Sequence, residues 1–133
     1  VDELGKTLGE ELITPTKIYT DEVTAVLKFN VKSIANITGG GLPENMIRTV
    51  PENVTIKIDK NSWEVPPVFT FLQKGGNVPQ DDLYRTLNMG IGMTMIFAPS
   101  DAEQATQKLT AMGQKCWVIG EIAEFNGARF SWS

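Results

Sequence analysis

Segments with the two-residue period of a strand alternate along this chain with segments of helical period, and glycine or proline closes nearly every one. That alternation points to the α/β class. The clearest strand signal is Val54, Ile56 and Ile58 alternating with Thr55, Lys57 and Asp59. The clearest helix signal starts at a capping box, Ser100-Asp101-Ala102-Glu103, carries an apolar stripe of Ala102, Ala105, Leu109 and Met112, and stops at Gly113. Thr14-Pro15 predicts a helix over 15–29 that ends at Asn30, followed by a short strand from Ser33 to Thr38. Pro43 to Arg48 reads as a brief helix closed by Pro51. Pro66-Pro67 opens a helix with Val68, Phe69, Phe71 and Leu72 as its apolar face and Gly75-Gly76 as its end, and a shorter helix follows from Pro79 to Thr86. Met93 to Ala98, apolar on both faces, predicts a central strand, and Cys116 to Ile119 predicts another. Asn126-Gly127, between 121–125 and 128–132, predicts a type I′ hairpin. The expected product is a single domain, 1–133, folded as an α/β (α+β) sandwich with helices packed on a mixed sheet.

The 133 residues suffice for one core without staples. Zero histidine removes Ser-His-Asp triads, Cys-His pairs and His-based zinc sites, and a single Cys116 removes internal disulfides and CxxC motifs. A net charge of -4 is the wrong sign for binding nucleic acid through the overall field. No apolar run is long enough for a transmembrane helix, so no membrane partner is expected. The cysteine count suits a reducing cytosol. The N-terminus, Val1 to Lys6, lacks an initiator Met and a signal core and reads as cut from something longer.

Two glycine-rich loops stand out. Thr38-Gly39-Gly40-Gly41 lies between a strand end and a helix start, where positive φ turns backbone N–H groups toward an anion and Arg48 can add charge. On the glycines alone, a turn that accommodates close packing is the stronger reading. Asn88-Met89-Gly90-Ile91-Gly92 either lets a ligand approach the backbone or makes a bulge at a strand start, and the bulge is preferred. Met93, Met95 and Met112 read as packing residues, Cys116 as a structural thiol, and Trp63 as a packing anchor. The pairs Glu10-Glu11 and Asp81-Asp82 diverge by about 100° on a helix and are expected to be solvated, so no metal site is predicted.

Taken together, Leu8 to Thr16 with Ile18-Tyr19, ITGGGLPEN at Ile37 to Asn45, VPPVF at Val65 to Phe69, YRTLNMGIGM at Tyr84 to Met93 and Trp117 to Gly120 follow one order and spacing. In that set the chain resembles the C-terminal domain of the phosphoribosylformylglycinamidine cyclo-ligase family, also called aminoimidazole ribonucleotide synthetases. Asn36 departs from it, standing where the family often has His, and an amide does not titrate. Pro79 replaces a frequent capping Ser.

The resemblance implies an enzyme of purine biosynthesis in the cytoplasm that turns formylglycinamidine ribonucleotide and ATP into aminoimidazole ribonucleotide, ADP and phosphate. ATP and Mg2+ are then held mainly by an N-terminal domain of the same polypeptide, absent here, through which the intact enzyme forms a homodimer. This chain alone is expected to be inactive. Combined with the anion argument, the resemblance makes Thr38, Gly39, Gly40, Gly41, Asn45, Arg48, Asn88 and Gly90 the expected substrate or phosphate site, with Thr14, Thr16 and Arg85 as secondary candidates. The catalytic residues stay unassigned. Alternatives are the same domain of thiamine monophosphate kinase, selenophosphate synthetase or the preceding purine amidotransferase, or a noncatalytic phosphate-ligand-binding or dimerisation module.

Overall fold

The structure is a computed structural model and describes residues 2–133; Val1, where the reading of the N-terminus begins, lies outside them. Six α-helices and five strands follow in chain order among the described residues: α1 (Leu8–Leu12), α2 (Thr20–Val26), β1 (Ser33–Asn36), α3 (Gly41–Ile47), β2 (Val54–Ile58), α4 (Pro67–Gly76), α5 (Gln80–Thr86), β3 (Met93–Ile96), α6 (Pro99–Ala111), β4 (Gly120–Glu124) and β5 (Phe130–Trp132). The expected mixed α/β class holds, but the strands divide into two sheets. β1 and β3 pair antiparallel, Ile34 opposite Met95, so β3 is one of two strands and not the centre of a larger sheet. In the other sheet β2 lies between β4, which is antiparallel to it, and β5, which is parallel.

That order overturns the hairpin expected at Asn126-Gly127. Its two arms flank β2 and do not touch each other. The reason lies in β2, whose Ile56 and Ile58 are fully buried and use both strand edges. Thr55 then fixes the connection: its buried hydroxyl donates toward Ala128 O (2.6 Å) and lies 3.1 Å from Asn126 Oδ1, while Asn126 N–H donates back to it (3.2 Å).

Three other boundaries differ. Residues 15–19 lie outside any helix because Thr14, expected to cap the next helix, donates its hydroxyl back to Glu10 O (3.0 Å) and closes α1. Tyr19 beyond it packs its ring on Gly92, and Lys17 pairs with Glu22 and Gln114, so tertiary contacts hold Pro15 to Tyr19 off the helix axis. At α6, Pro99 takes the first helical position, which leaves Ser100 inside the helix and Ala98 at the cap without a side-chain bond. Only Ala105 of its stripe is fully buried, and Met112 is 41% exposed. Residues 116–119 form no strand, because the Cys116 thiol turns back on α6, 3.7 Å from Thr106 O and from Thr110 Oγ1.

The core sits between the sheets and α3 and α5. Ile37, Leu42, Met46, Ile56, Ile58, Leu83, Met89 and Ile91 are buried there with Trp63, whose indole N–H donates to Met89 O (3.0 Å). Trp63, Tyr84, Trp132 and Phe130 meet edge to face in series, with centroids 6.3, 5.1 and 4.8 Å apart.

Candidate functional site

The first glycine loop leaves β1 where Ile37 N–H donates to Gly92 O (2.9 Å), which sets the two glycine loops side by side. Gly40 (φ 95°) and Gly41 (φ 60°) both adopt left-handed φ, the former capping α3 and the latter opening it. Asn45, buried one turn into α3, donates from Nδ2 to Gly41 O (2.7 Å) and to the Thr38 and Gly39 carbonyls (3.3 Å each), and the Thr38 hydroxyl donates to its Oδ1 (3.3 Å). The loop carbonyls are thus gathered on Asn45. Gly41 N–H donates to Thr38 O, while among the described residues the N–H groups of Gly39 and Gly40 have no acceptor.

Gly41 has a packing reason of its own. A Cβ there would lie 2.4 Å from Tyr84 O and 2.9 Å from Leu87 O, so only glycine lets α3 rest on the C-terminal end of α5. That close approach places α5 beside the loop. Between them is a polar depression of about 350 Å³ lined by Gly40, Glu44, Asp82, Arg85 and Thr86. Arg85 supplies its cation and has no ion pair among the described residues. Arg48, expected to supply that charge, instead lies in an exposed pair with Glu44 (3.4 Å) at the far end of α3 and does not line the depression.

The second loop is a tight turn. Ile91 N–H donates to Asn88 O (2.9 Å) across Met89 (φ 51°) and Gly90 (φ 94°), the signature of type I′, and Gly90 N–H donates to Asn88 Oδ1 (2.9 Å). A Cβ on Gly90 would strike Pro66 at 2.4 Å. Asn88 and Gly90 therefore shape the turn and lie outside the depression. Thr14 spends its hydroxyl on α1, Thr16 is exposed, and Asn36 ends β1 exposed and opposite Met93.

Several other charges are engaged elsewhere. Glu10 accepts from the Thr7 N–H and hydroxyl, and these bonds hold its carboxyl below the usual range. The Lys17 ammonium does the same to Glu22. Asp81 pairs with Lys60, which also sits over the Tyr84 and Trp132 rings. Among the described residues no three carboxylates or thiols converge as metal ligands. Sequence reasoning missed the depression's Glu44, Asp82 and Thr86, and ranked Arg85 below Arg48. Glu44 stands four residues after Gly40, which on a helix start brings it back over the loop. No local signal ties α5 to α3.

The sequence matches the family described as "AIR synthase related protein, C-terminal domain" over residues 1–133. It is 49% identical over 122 residues, 92% of this chain, to the phosphoribosylformylglycinamidine cyclo-ligase of Pseudothermotoga lettingae. It is 44% identical over 127 residues to the enzyme of that name from Thermoanaerobacter sp. and 46% identical over 125 residues to that of Alkaliphilus oremlandii, covering 96% and 93% of this chain. The chain spans only 36–38% of the length of these relatives.

Proposed function

This chain belongs to the AIR synthase related protein C-terminal domain family, and from that membership we propose that it serves as the C-terminal part of an ATP-dependent cyclo-ligase of purine biosynthesis. The observation that carries the reading is the match of more than nine-tenths of the chain to relatives bearing that one enzyme name. The reaction converts formylglycinamidine ribonucleotide and ATP to aminoimidazole ribonucleotide, ADP and phosphate, in the cytoplasm. ATP supplies the phosphoryl group that turns the formyl oxygen into a leaving group before the amidine nitrogen closes the ring. Among the described residues no three carboxylates or thiols converge as a magnesium site, so no metal step is assigned to them. ATP and Mg2+ fall to an N-terminal part of the same polypeptide, which also makes the homodimer.

For this chain the role is grip. The substrate's 5′-phosphate lies at the loop Thr38 to Gly41, on the unpaired N–H groups of Gly39 and Gly40, with the Arg85 guanidinium opposite. Asn45 holds the loop in shape, and Asn88 and Gly90 hold the turn beside it. The test is an amide NMR titration with formylglycinamidine ribonucleotide, then with ATP and Mg2+. Saturable shifts at Gly39 to Gly41 with the ribonucleotide are expected, weakened roughly tenfold by Arg85→Ala. Shifts that ignore this loop, or an unchanged affinity in the variant, would move the phosphate elsewhere while leaving family membership intact.

A further inference from the structure

As it stands, the depression beside the glycine loop is poorly set for a dianion: Arg85 is its one cation, and Glu44 and Asp82 both border it. The two carboxylates are not equivalent. Glu44 curls back over the loop, so that a Cβ on Gly40 would meet its Oε2 at 2.5 Å and its Cδ at 2.8 Å. Its side chain therefore lies over the Cα of Gly40, beside the N–H groups of Gly39 and Gly40 without accepting from either. Little holds it there, since the side chain is 61% exposed and its ion pair is a single 3.4 Å contact to an Arg48 that is itself 66% exposed. Asp82, by contrast, stands in the first turn of α5.

From this arrangement, and resting on the phosphate reading of the loop, we infer that Glu44 is a resident anion that competes with the incoming phosphate and swings out to admit it. Its exposure leaves it room to move, and the equally exposed Arg48 it already pairs with, one turn further along the helix, can move with it. The loop then discriminates by charge. A ligand with a doubly charged phosphate displaces the carboxylate, whereas a singly charged or neutral group at the same place does not.

The experiment uses the full 133-residue chain and inorganic phosphate as the probe, with the Gly39 to Gly41 amides followed by NMR. Glu44→Gln keeps the shape and removes the charge. It is expected to tighten phosphate binding roughly three- to tenfold, with Asp82→Asn changing it by less than about twofold. Equal gains in the two variants would reduce the effect to general charge and overturn the competition. So would an unchanged affinity in Glu44→Gln, with phosphate still shifting the loop, and in both cases the phosphate reading stands. If phosphate shifts none of these amides in any of the three proteins, that reading falls and the competition falls with it.

Discussion

At the scale of single residues, three consecutive glycines sit in three different surroundings. Gly39 has open space where a side chain would go, Gly40 meets the Glu44 side chain from its Cβ to its Oε2, and Gly41 meets fixed carbonyls of α5 at left-handed φ. Gly41→Ala is therefore expected to cost about 2–4 kcal/mol in urea unfolding, because neither the backbone conformation nor the neighbouring carbonyls can give. Gly39→Ala is expected to stay within about 0.5 kcal/mol. Equal costs for the two would refute the packing role of Gly41. The sequence singled out the whole tract but could not rank its members: the contact that requires Gly41 is with a segment some 40 residues away, that at Gly40 is with a side chain one turn on, and Gly39 has none. Trp63 was legible as an apolar ring beside prolines, whereas Asn45 was expected only among the ligand residues and its bonds to the loop carbonyls were not foreseen.

At the scale of elements, β2, α4 and α5 were read nearly to their ends, because alternation and proline punctuation are local signals. The failures share a cause. Thr14-Pro15, Ser100 and Asn126-Gly127 each carry a sound local signal, and each is overridden by something the local window omits: a hydroxyl spent on the preceding helix, a proline one residue upstream, a buried strand between two arms. The capping box Thr7 to Glu10 was legible and unread. Thr55 is the element-scale test, since it ties the 125–129 connection to the middle of the sheet. Thr55→Val keeps the shape but strands Asn126 N–H and Ala128 O, and should lower stability by about 1–2 kcal/mol. Amide exchange should quicken at Asn126, whose N–H loses its acceptor, and a variant with wild-type exchange there would show that the hydroxyl is not the clasp.

At the scale of the whole molecule, the class was legible and the division into two sheets was not, since a period of two tells which face is buried and not which strand lies alongside. The aromatic series from Trp63 to Phe130 ties α5 to the three-stranded sheet, and it carries a pH dependence. Burial pushes the Tyr84 phenol above its ordinary value. The neutral phenol is thus the form the fold prefers: its contribution is complete below the unfolded tyrosine value, about 10, and is lost as pH rises through the higher folded value. Thermal midpoints followed from pH 9 upward should fall, and Tyr84→Phe should flatten that fall. An unchanged slope in the variant would place the alkaline weakness elsewhere.

The placement of β2 also bears on how the chain is made. Both of its neighbours come from Gly120 onward, and its bonds to the last segment join residues 71 to 75 positions apart. During synthesis β2 leaves the ribosome well before either partner, with two open edges and an apolar face, and waits for β4 and β5 before those edges can close. The three-stranded sheet therefore closes only once residues through Trp132 have emerged, and the waiting strand is the point at which a slowed chain would be captured by other chains.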